Sequence, residues 1–152
     1  MKLYLVRHGA YRSEYTSALG PGLSPRGEEQ ARVAGAFLRK QKAAPEVLIT
    51  SGYLRAQETA SEILKQLNIT LDPIESHDFS PGGDPETMRA VIESLEAKEV
   101  LVVGHMNSIG ELAHALNFQA PPYFDTCTMM AFEKQGSSWK FLWFNDCGRT
   151  VL

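Results

Sequence analysis

Two histidines stand where short apolar runs of the sequence end. His8 follows "YLVR" in the stretch "YLVRHGA", and His105 follows "VVG" in "VVGHMNSIG". A neutral imidazole is a nucleophile when one ring nitrogen holds the proton and the other faces the substrate. The small Gly9 beside His8 lets backbone and substrate come close, which favours His8 over His105 for this role.

Two arginines are expected beside these histidines. Arg7 directly precedes His8, and Arg55 follows the apolar run Val47 to Thr50 by a few residues. Guanidinium groups donate paired hydrogen bonds to phosphate oxygens and stay charged at any working pH. The four side chains together predict a pocket for a phosphate dianion, with His105 held in its protonated form by that anion.

The elements that must position these residues follow from hydrophobic patterning. Three short apolar runs, Lys2 to Val6, Val47 to Thr50 and Val100 to Val103, are typical of strands buried in a parallel sheet. Amphipathic helical patterns follow them, with predicted N-caps at Ser24, Ser51 and Asp84, and a further helix over residues 107–116. In such sheets ligands bind at the carboxyl ends of the strands, where both histidines fall.

The C-terminal part predicts a different arrangement. Thr126 to Glu133 and Ser138 to Phe144 are separated by "KQGS" and predict an antiparallel hairpin, with Gly136 in the turn. The expected fold is therefore an α/β sandwich whose mostly parallel sheet carries a C-terminal antiparallel hairpin. Two segments remain irregular, Ala10 to Leu23 and Glu75 to Gly83, and loops of this length are often functional.

Composition narrows the class of protein. The 152 residues are 43% apolar and 22% charged with a net charge of −3, which predicts one globular domain over residues 1–152 and disfavours nucleic acid as a partner. Neither a signal peptide nor an apolar run of membrane-spanning length is evident, so we expect a cytoplasmic protein without a membrane partner. The two cysteines, Cys127 and Cys147, are expected to be reduced, small apolar residues.

Three motifs carry a resemblance to a known family. They are "RHG" at residues 7–9, "SGYLRAQETA" at 51–60 and "VVGHMNS" at 102–108. As a set and in this order they resemble the histidine phosphatase superfamily, also called the phosphoglycerate mutase-like fold. The short length, "FSPGGDP" at 79–85 and "PPYF" at 121–124 resemble the SixA-type phosphohistidine phosphatases within it.

The resemblance implies a three-layer α/β/α sandwich and a covalent mechanism. His8 would be transiently phosphorylated and then hydrolysed by water, while Arg7, Arg55 and His105 bind the phosphate, with no metal or other cofactor. SixA-type members act on phosphohistidine in signalling proteins of the histidine phosphotransfer kind. The implied partner is therefore such a phosphorylated protein.

The chain departs from the family pattern near its first irregular segment. Members commonly have an acidic or small polar residue after "RHG" and an Arg before the "LT" that opens the first long helix. Here Ala10 follows Gly9, and Pro21 and Gly22 precede Leu23. We expect either that Arg12 replaces the missing charge or that it is an ordinary solvated loop residue.

A general acid is the least defined part of the predicted site. Hydrolysis of a phosphate ester uses a carboxylic acid to protonate the leaving alkoxide, and Glu75, Asp78 and Asp84 are the candidates. Asp84 fits a helix N-cap and Glu75 the end of a strand, which leaves Asp78 as the possible general acid. A phosphohistidine substrate makes this acid dispensable, because its imidazole leaves as a neutral, weakly basic group.

Other functions remain open at this point. A small phosphorylated metabolite is the alternative substrate, and a phosphate-binding module without catalysis is the alternative from another class. A metal site is disfavoured because His77 and His114 lack ligand-like spacing and fit surface and helix positions. Four aromatic residues either line the mouth of the crevice or pack in the interior: Tyr11, Tyr15, Tyr123 and Phe124.

Overall fold

A computed structural model describes residues 1–14 and 17–147 of the chain. Within them are six strands and four α-helices. Strands and helices alternate along the chain up to the last two strands, which follow each other directly, and a short 3₁₀ turn at His77–Phe79 lies between the third strand and the third helix. The strands are β1 (Lys2–Arg7), β2 (Val47–Thr50), β3 (Ile74–Glu75), β4 (Glu99–Gly104), β5 (Thr128–Gln135) and β6 (Ser138–Asp146). The helices are α1 (Pro25–Lys40), α2 (Leu54–Leu67), α3 (Pro85–Glu93) and α4 (Ser108–Leu116).

All six strands belong to one sheet in the order β3-β2-β4-β1-β5-β6. The first four of these are mutually parallel, and β5 and β6 add an antiparallel hairpin at one side. Its turn is two residues long, and Gly136 adopts a φ of 63° there, a backbone region that favours glycine. The mostly parallel sheet with its C-terminal hairpin confirms the predicted fold class.

The helices cover both faces of the sheet. Alternate residues of β1 point to opposite sides, so that Tyr4 and Val6 pack against α1 and α2, whereas Leu3 and Leu5 pack against α3 and α4. Two apolar layers result, one on each side of the sheet. This is the three-layer α/β/α sandwich that the resemblance implied.

Two of the three predicted helix caps are present. The Ser24 hydroxyl accepts a hydrogen bond from the Gly27 N–H at 3.1 Å, and the Asp84 carboxylate accepts one from the Thr87 N–H at 2.9 Å. The prediction for Ser51 is wrong. Helix α2 begins later, with Tyr53 at its N-cap and no side-chain cap, because the Ser51 hydroxyl is engaged elsewhere.

Backbone hydrogen bonds hold the two ends of the first irregular segment to each other and join the segment to the start of α2. Tyr11 and Leu23 form an isolated antiparallel bridge, and the Arg12 N–H donates to the Gly22 carbonyl at 2.9 Å. Further along, the Leu54 N–H at the start of α2 donates to the carbonyl of Leu19 at 3.0 Å. The segment therefore lies against the end of the sheet where β1 and β2 finish.

The two cysteines are free and buried, as the sequence predicts. Burial raises the pKa of the Cys127 thiol well above its usual range and that of Cys147 to about 11, so both stay protonated. In the part of the chain described by the structure, no helix has the length and apolar character needed to cross a membrane.

Candidate active site

The two central strands of the parallel sheet bring His8 and His105 together. Strands β1 and β4 are paired so that Arg7 lies opposite Gly104, and the next residue on each strand is a histidine. The two imidazole ring centroids are 5.0 Å apart. Since neighbouring parallel strands end at the same edge, the spacing follows from the register alone.

The tautomer of His8 is fixed by its neighbours. Its Nδ1 lies 2.8 Å from the carbonyl oxygen of Gly9, which can only accept, so Nδ1 carries the proton. Its Nε2 accepts a hydrogen bond from the Arg55 Nε at 3.4 Å and therefore carries the lone pair. This is the orientation that an imidazole nucleophile requires.

Burial keeps His8 neutral. Its side chain is buried, and this lowers its pKa to about 3, an effect that the nearby Arg55 and Arg7 reinforce and the hydrogen bond to Gly9 opposes. At neutral pH the imidazole is therefore uncharged and its Nε2 lone pair is available. No deprotonation step is needed before attack.

The Gly9 turn after His8 is held from two sides. The Gly9 N–H donates to the Thr59 hydroxyl at 2.9 Å, and that hydroxyl donates to the carbonyl of Arg55 at 2.7 Å. A Cβ on Gly9 would lie 2.8 Å from the carbonyl oxygen of Gly27 in α1. The close packing of α1 is therefore one reason why residue 9 is a glycine. The sequence had suggested another reason, that a glycine lets a substrate come close to His8.

Neither arginine of the site is neutralised by a carboxylate. Arg7 donates from Nη1 to the carbonyl of Phe124 at 3.1 Å, and its buried Nε has no hydrogen-bond partner. The guanidinium carbon of Arg55 lies 4.8 Å from the ring centroid of Tyr11 and 4.9 Å from that of Tyr53. Ion pairs in the described part of the chain involve other residues. Both positive charges therefore remain available to an anion.

His105 is paired with the serine that the sequence assigned to a helix cap. Its Nε2 lies 2.6 Å from the Ser51 hydroxyl, which also accepts a hydrogen bond from the Tyr53 N–H at 3.3 Å. The other ring nitrogen, Nδ1, is buried without a hydrogen-bond partner in the described structure. Ser51 thus joins the end of β2 to the end of β4.

The charge of His105 in the empty site differs from the charge expected with phosphate bound. Burial, together with the neighbouring His8, Arg55 and Arg7, lowers the pKa of His105 to about 3. His105 is therefore neutral at neutral pH when no anion is present. The protonated form depends on a bound dianion to offset the two arginine charges.

A cavity of about 440 Å³ opens beside Ser51. Its walls come from the first irregular segment, the start of α2 and the end of β3: Ala18, Leu19, Ser51, Gly52, Tyr53, Glu75, Ser76 and His77. A second cavity, of about 460 Å³, lies between α1 and α2 and is lined by four glutamates, which disfavour an anion. The cavity beside Ser51 is therefore the one that can take part of a phosphorylated substrate.

The three acidic candidates occupy different places. The Asp78 side chain is exposed in the 3₁₀ turn and accepts a hydrogen bond from the Ser76 hydroxyl at 3.4 Å. Asp84 caps α3 as predicted. Glu75 ends β3, accepts from the Gln57 amide at 2.8 Å and, unlike the other two, lines the cavity beside Ser51. Of the three, Glu75 is therefore the carboxyl group in the wall of that cavity, whose lining does not include His8, Arg7, Arg55 or His105.

The aromatic candidates separate into two groups. Tyr11 contacts Arg55 at the edge of the site, beside Tyr53, which was not among the candidates, and Tyr123 is exposed. The ring of Phe124 is fully buried in the apolar layer beside α3 and α4, the second of the two positions expected, and its carbonyl holds Arg7. Tyr15 lies outside the described residues.

The remaining histidines lie outside this cluster. His77 lines the cavity beside Ser51 and is exposed, and His114 lies on α4 with its Nδ1 3.2 Å from the Ala120 carbonyl. Over residues 1–14 and 17–147, no group of three or more His, Cys, Asp or Glu side chains is arranged to hold a metal ion.

Ser51, Tyr53 and Thr59 are the site residues that sequence reasoning left out. All three lie in "SGYLRAQETA", the motif that supplied Arg55. The signal was present in the motif, but a serine before a helical pattern favours a capping role, and Tyr53 and Thr59 have no chemistry that singles them out.

Three comparisons show which known proteins the chain is similar to. The family model described as "Histidine phosphatase superfamily (branch 1)" matches residues 3–79. Phosphohistidine phosphatase SixA of Escherichia coli (strain K12) is 28% identical over 130 residues, which cover 83% of this chain and 81% of that protein. An uncharacterized protein of Picosynechococcus sp. is 32% identical over 78% of this chain and 74% of its own length.

A solved structure extends the similarity to the whole fold. The structure of the protein histidine phosphatase SixA complexed with tungstate superposes with a TM-score of 0.90 and 25% identity, covering 99% of both chains. The match includes both the sheet and the helices that flank it. The chain therefore belongs to the histidine phosphatase superfamily and is an enzyme of the histidine phosphatase type.

Proposed function

We propose that the protein hydrolyses phosphohistidine in a partner protein, without a metal ion, through a phosphohistidine intermediate on His8. The observation that carries this proposal is the state of His8. Its Nδ1 proton is held by Gly9, its Nε2 lone pair accepts only a long hydrogen bond of 3.4 Å from Arg55, and Arg7 and Arg55 have no carboxylate partner among the described residues. A nucleophile next to uncompensated positive charge is what transfer of a phosphoryl group needs.

The first step transfers the phosphoryl group to the enzyme. The Nε2 lone pair of His8 forms a bond to phosphorus while the bond from phosphorus to the substrate nitrogen breaks. The electron pair of the broken bond stays on the substrate imidazole, which leaves as a neutral group because its other ring nitrogen carries a proton. Arg7 and Arg55 donate hydrogen bonds to the phosphoryl oxygens, on which negative charge is spread in the transition state. His105 binds the same anion, which raises its pKa from the low value of the empty site.

The second step restores the enzyme. A water oxygen forms a bond to phosphorus while the bond from phosphorus to Nε2 of His8 breaks and returns its electron pair to Nε2. Both protons of the water stay on the product, which leaves as dihydrogen phosphate. The hydrogen bond from Nδ1 of His8 to Gly9 holds the ring in one orientation through both steps. The same arginines serve each transfer because the charge develops on the same oxygens.

Protein phosphohistidine is the favoured substrate class for two reasons. The similar protein from Escherichia coli is named a phosphohistidine phosphatase, and the similar structure that bound tungstate, a tetrahedral oxyanion, is a protein histidine phosphatase. In addition, an imidazole leaving group needs no dedicated acid, and Asp78, the acid chosen from sequence, has its hydrogen bond with Ser76. A phosphorylated domain of the histidine phosphotransfer type is the proposed partner.

Hydrolysis of a small phosphate ester is the second candidate. The observation that favours it is Glu75, whose carboxyl group lines the cavity beside Ser51 and is in position to protonate a leaving alkoxide. A metabolite whose leaving group fits this cavity would then be the substrate. The acid assignment would in that case pass from Asp78 to Glu75.

One experiment distinguishes the two candidate functions by comparing their substrates and tests metal independence with a chelator. Turnover of a phosphorylated histidine phosphotransfer domain is measured beside a panel of sugar and nucleotide phosphates, with and without EDTA. We expect efficient, EDTA-insensitive release of phosphate from the protein substrate. Efficient turnover of a single metabolite with none of the protein substrate would support the ester candidate, and loss of activity in EDTA would contradict metal independence.

A further inference from the structure

Two tyrosine rings border the candidate active site, and each contacts both Arg55 and one histidine. The Tyr11 ring meets the His8 ring edge to face at 5.3 Å, and the Tyr53 ring meets the His105 ring in the same way at 5.1 Å. The Arg55 guanidinium lies over both tyrosine rings, at 4.8 and 4.9 Å. The rings therefore adjoin the proposed nucleophile on one side and the proposed phosphate ligand on the other.

The tyrosines differ from the histidines in their access to solvent. His8 and His105 are 3% and 1% exposed, whereas Tyr11 and Tyr53 are 48% and 37% exposed. The histidines thus form the floor of the site, and the exposed parts of the tyrosine rings form its entrance. Tyr53 also lines the cavity beside Ser51, so this entrance continues into that cavity.

The tyrosines also hold Arg55 without cancelling its charge. A cation over an aromatic face is attracted by the ring quadrupole, but the ring carries no net charge that would compete with a phosphate. The nearby Gly20 packs against the same group, since an added Cβ there would lie 3.4 Å from Nη1 of Arg55 and 3.7 Å from the Tyr53 ring. The first irregular segment and the start of α2 thus position Arg55 together.

In-line attack determines where the leaving group goes. Nε2 of His8 approaches phosphorus from the floor of the site, so the bond that breaks points in the opposite direction, toward the entrance. The group that leaves must therefore pass between or against the exposed tyrosine rings. A planar ring gains most from such surfaces, because aromatic rings pair in stacked or edge-to-face arrangements.

We infer that Tyr11 and Tyr53 form an aromatic subsite for a planar leaving group, the imidazole ring of the phosphohistidine substrate. This inference rests on the proposed function and adds the residues that select the leaving group. Arg7, Arg55 and His105 bind the phosphoryl oxygens, which every substrate shares. The two tyrosines contact the part of the substrate that distinguishes phosphohistidine from an aliphatic phosphate.

The test uses two small substrates with the same type of breaking bond. Free phosphohistidine and phosphoramidate both contain a phosphorus–nitrogen bond, but the first releases a planar imidazole and the second releases ammonia. The value of kcat/KM is measured for both with the unchanged protein and with Tyr11→Leu, Tyr53→Leu and their ring-retaining controls Tyr11→Phe and Tyr53→Phe. The quantity compared is the ratio of the two kcat/KM values, because any loss caused by a displaced Arg55 affects both substrates and cancels.

We expect each leucine variant to lower the ratio of phosphohistidine to phosphoramidate turnover by about five- to tenfold, and each phenylalanine variant to keep it within about twofold. A ratio that stays constant in the leucine variants would overturn the subsite and leave the tyrosines as supports for Arg55 alone. A phosphorylated histidine phosphotransfer domain is measured beside them: absence of turnover of this domain by the unchanged protein would overturn the proposed function, and the subsite with it, whereas turnover of the domain without a preference for free phosphohistidine over phosphoramidate would overturn the subsite alone.

Discussion

Both histidines of the candidate site are neutral before an anion arrives, because burial outweighs every favourable interaction with the charged form. The consequence differs between them. For His8, neutrality means that Nε2 is not protonated at pH values well above its pKa of about 3. For His105, it means that a positive charge appears only when a phosphoryl group is bound, so the cost of burying three neighbouring cations is avoided in the empty site.

Ser51 is predicted to position His105. In Ser51→Ala, Nε2 of His105 loses its partner at 2.6 Å, and we expect kcat/KM for a phosphohistidine substrate to fall about tenfold, since an unsatisfied buried polar group costs about 1–3 kcal/mol. Ser51→Thr keeps the hydroxyl and is the matched control. Steady-state kinetics and the 15N chemical shifts of His105 are the measurements. Unchanged kinetics and unchanged shifts in Ser51→Ala would refute this role.

We predict that activity requires the planar guanidinium of Arg55 and that a positive charge alone at this position does not suffice. Its Nε donates to His8 and its plane lies over two tyrosine rings, neither of which a lysine ammonium reproduces. We expect Arg55→Lys to lower kcat/KM about a hundredfold, a loss of about 2.7 kcal/mol of transition-state stabilisation. Arg39→Lys, at an exposed position of α1, is the control. Activity of Arg55→Lys within threefold of the unchanged protein would show that charge alone suffices.

Helix α1 supports the turn that carries His8, although none of its residues belongs to the site. The contact is between backbones: Gly9 packs on Gly27, and a Cβ on Gly27 would lie 1.9 Å from the carbonyl oxygen of Ala10. The Ala10 carbonyl also accepts the N–H of Ser24 at 3.0 Å, so the start of the helix and the turn are joined at the same place. The position of the nucleophile thus depends on a helix start 16 residues later in the chain.

Gly27→Ala is predicted to lower both stability and activity. The added methyl group forces α1 away from Ala10, and overpacking of this kind costs about 1–3 kcal/mol. Thermal unfolding and kcat/KM are measured together, with Lys40→Ala at the exposed end of the same helix as the control. A Gly27→Ala variant as stable and as active as Lys40→Ala would mean that the close contact is not required.

Structural features that depend on residues close together in the chain could be predicted from the sequence. Ser24 and Asp84 cap their helices as expected because the partner of each side chain is three residues away. Ser51 could not be assigned in this way, since its partner His105 is 54 residues distant and becomes a neighbour only through the sheet. Strand β3 has two residues, Ile74 and Glu75, which is too short for an alternating pattern to develop.

The topology of the whole sheet explains why the site itself was predictable. The motifs that contain His8, Arg55 and His105 each follow a strand of the parallel group, and these strands are neighbours in the order β2-β4-β1. Their carboxyl ends therefore converge whatever the intervening loops do. The role of Asp78 stays a prediction for the opposite reason: it lies in an irregular segment, where no periodic pattern fixes the position of a side chain.

The stability of the folded protein is predicted to fall in mild acid. His8 and His105 have ordinary pKa values of 6.5 in the unfolded chain but about 3 in the folded one, so below pH 6.5 the unfolded state binds protons that the folded state does not. The contribution of the two neutral histidines to the free energy of unfolding is complete above about pH 6.5 and is lost progressively as the pH falls toward 3. Thermal unfolding followed from pH 7 to pH 4 measures this loss, and His105→Gln should show a shallower decline. Parallel curves for the two proteins would contradict the assignment.

The central claim, that the phosphoryl group passes through Nε2 of His8, is tested most directly by trapping the intermediate. The protein is mixed with a phosphohistidine substrate, quenched in alkali within milliseconds, digested and analysed by mass spectrometry. The account predicts a phosphoryl group on His8 that is lost in acid, and neither this species nor turnover in His8→Ala. A phosphoryl group on any other residue, or undiminished turnover by His8→Ala, would contradict it.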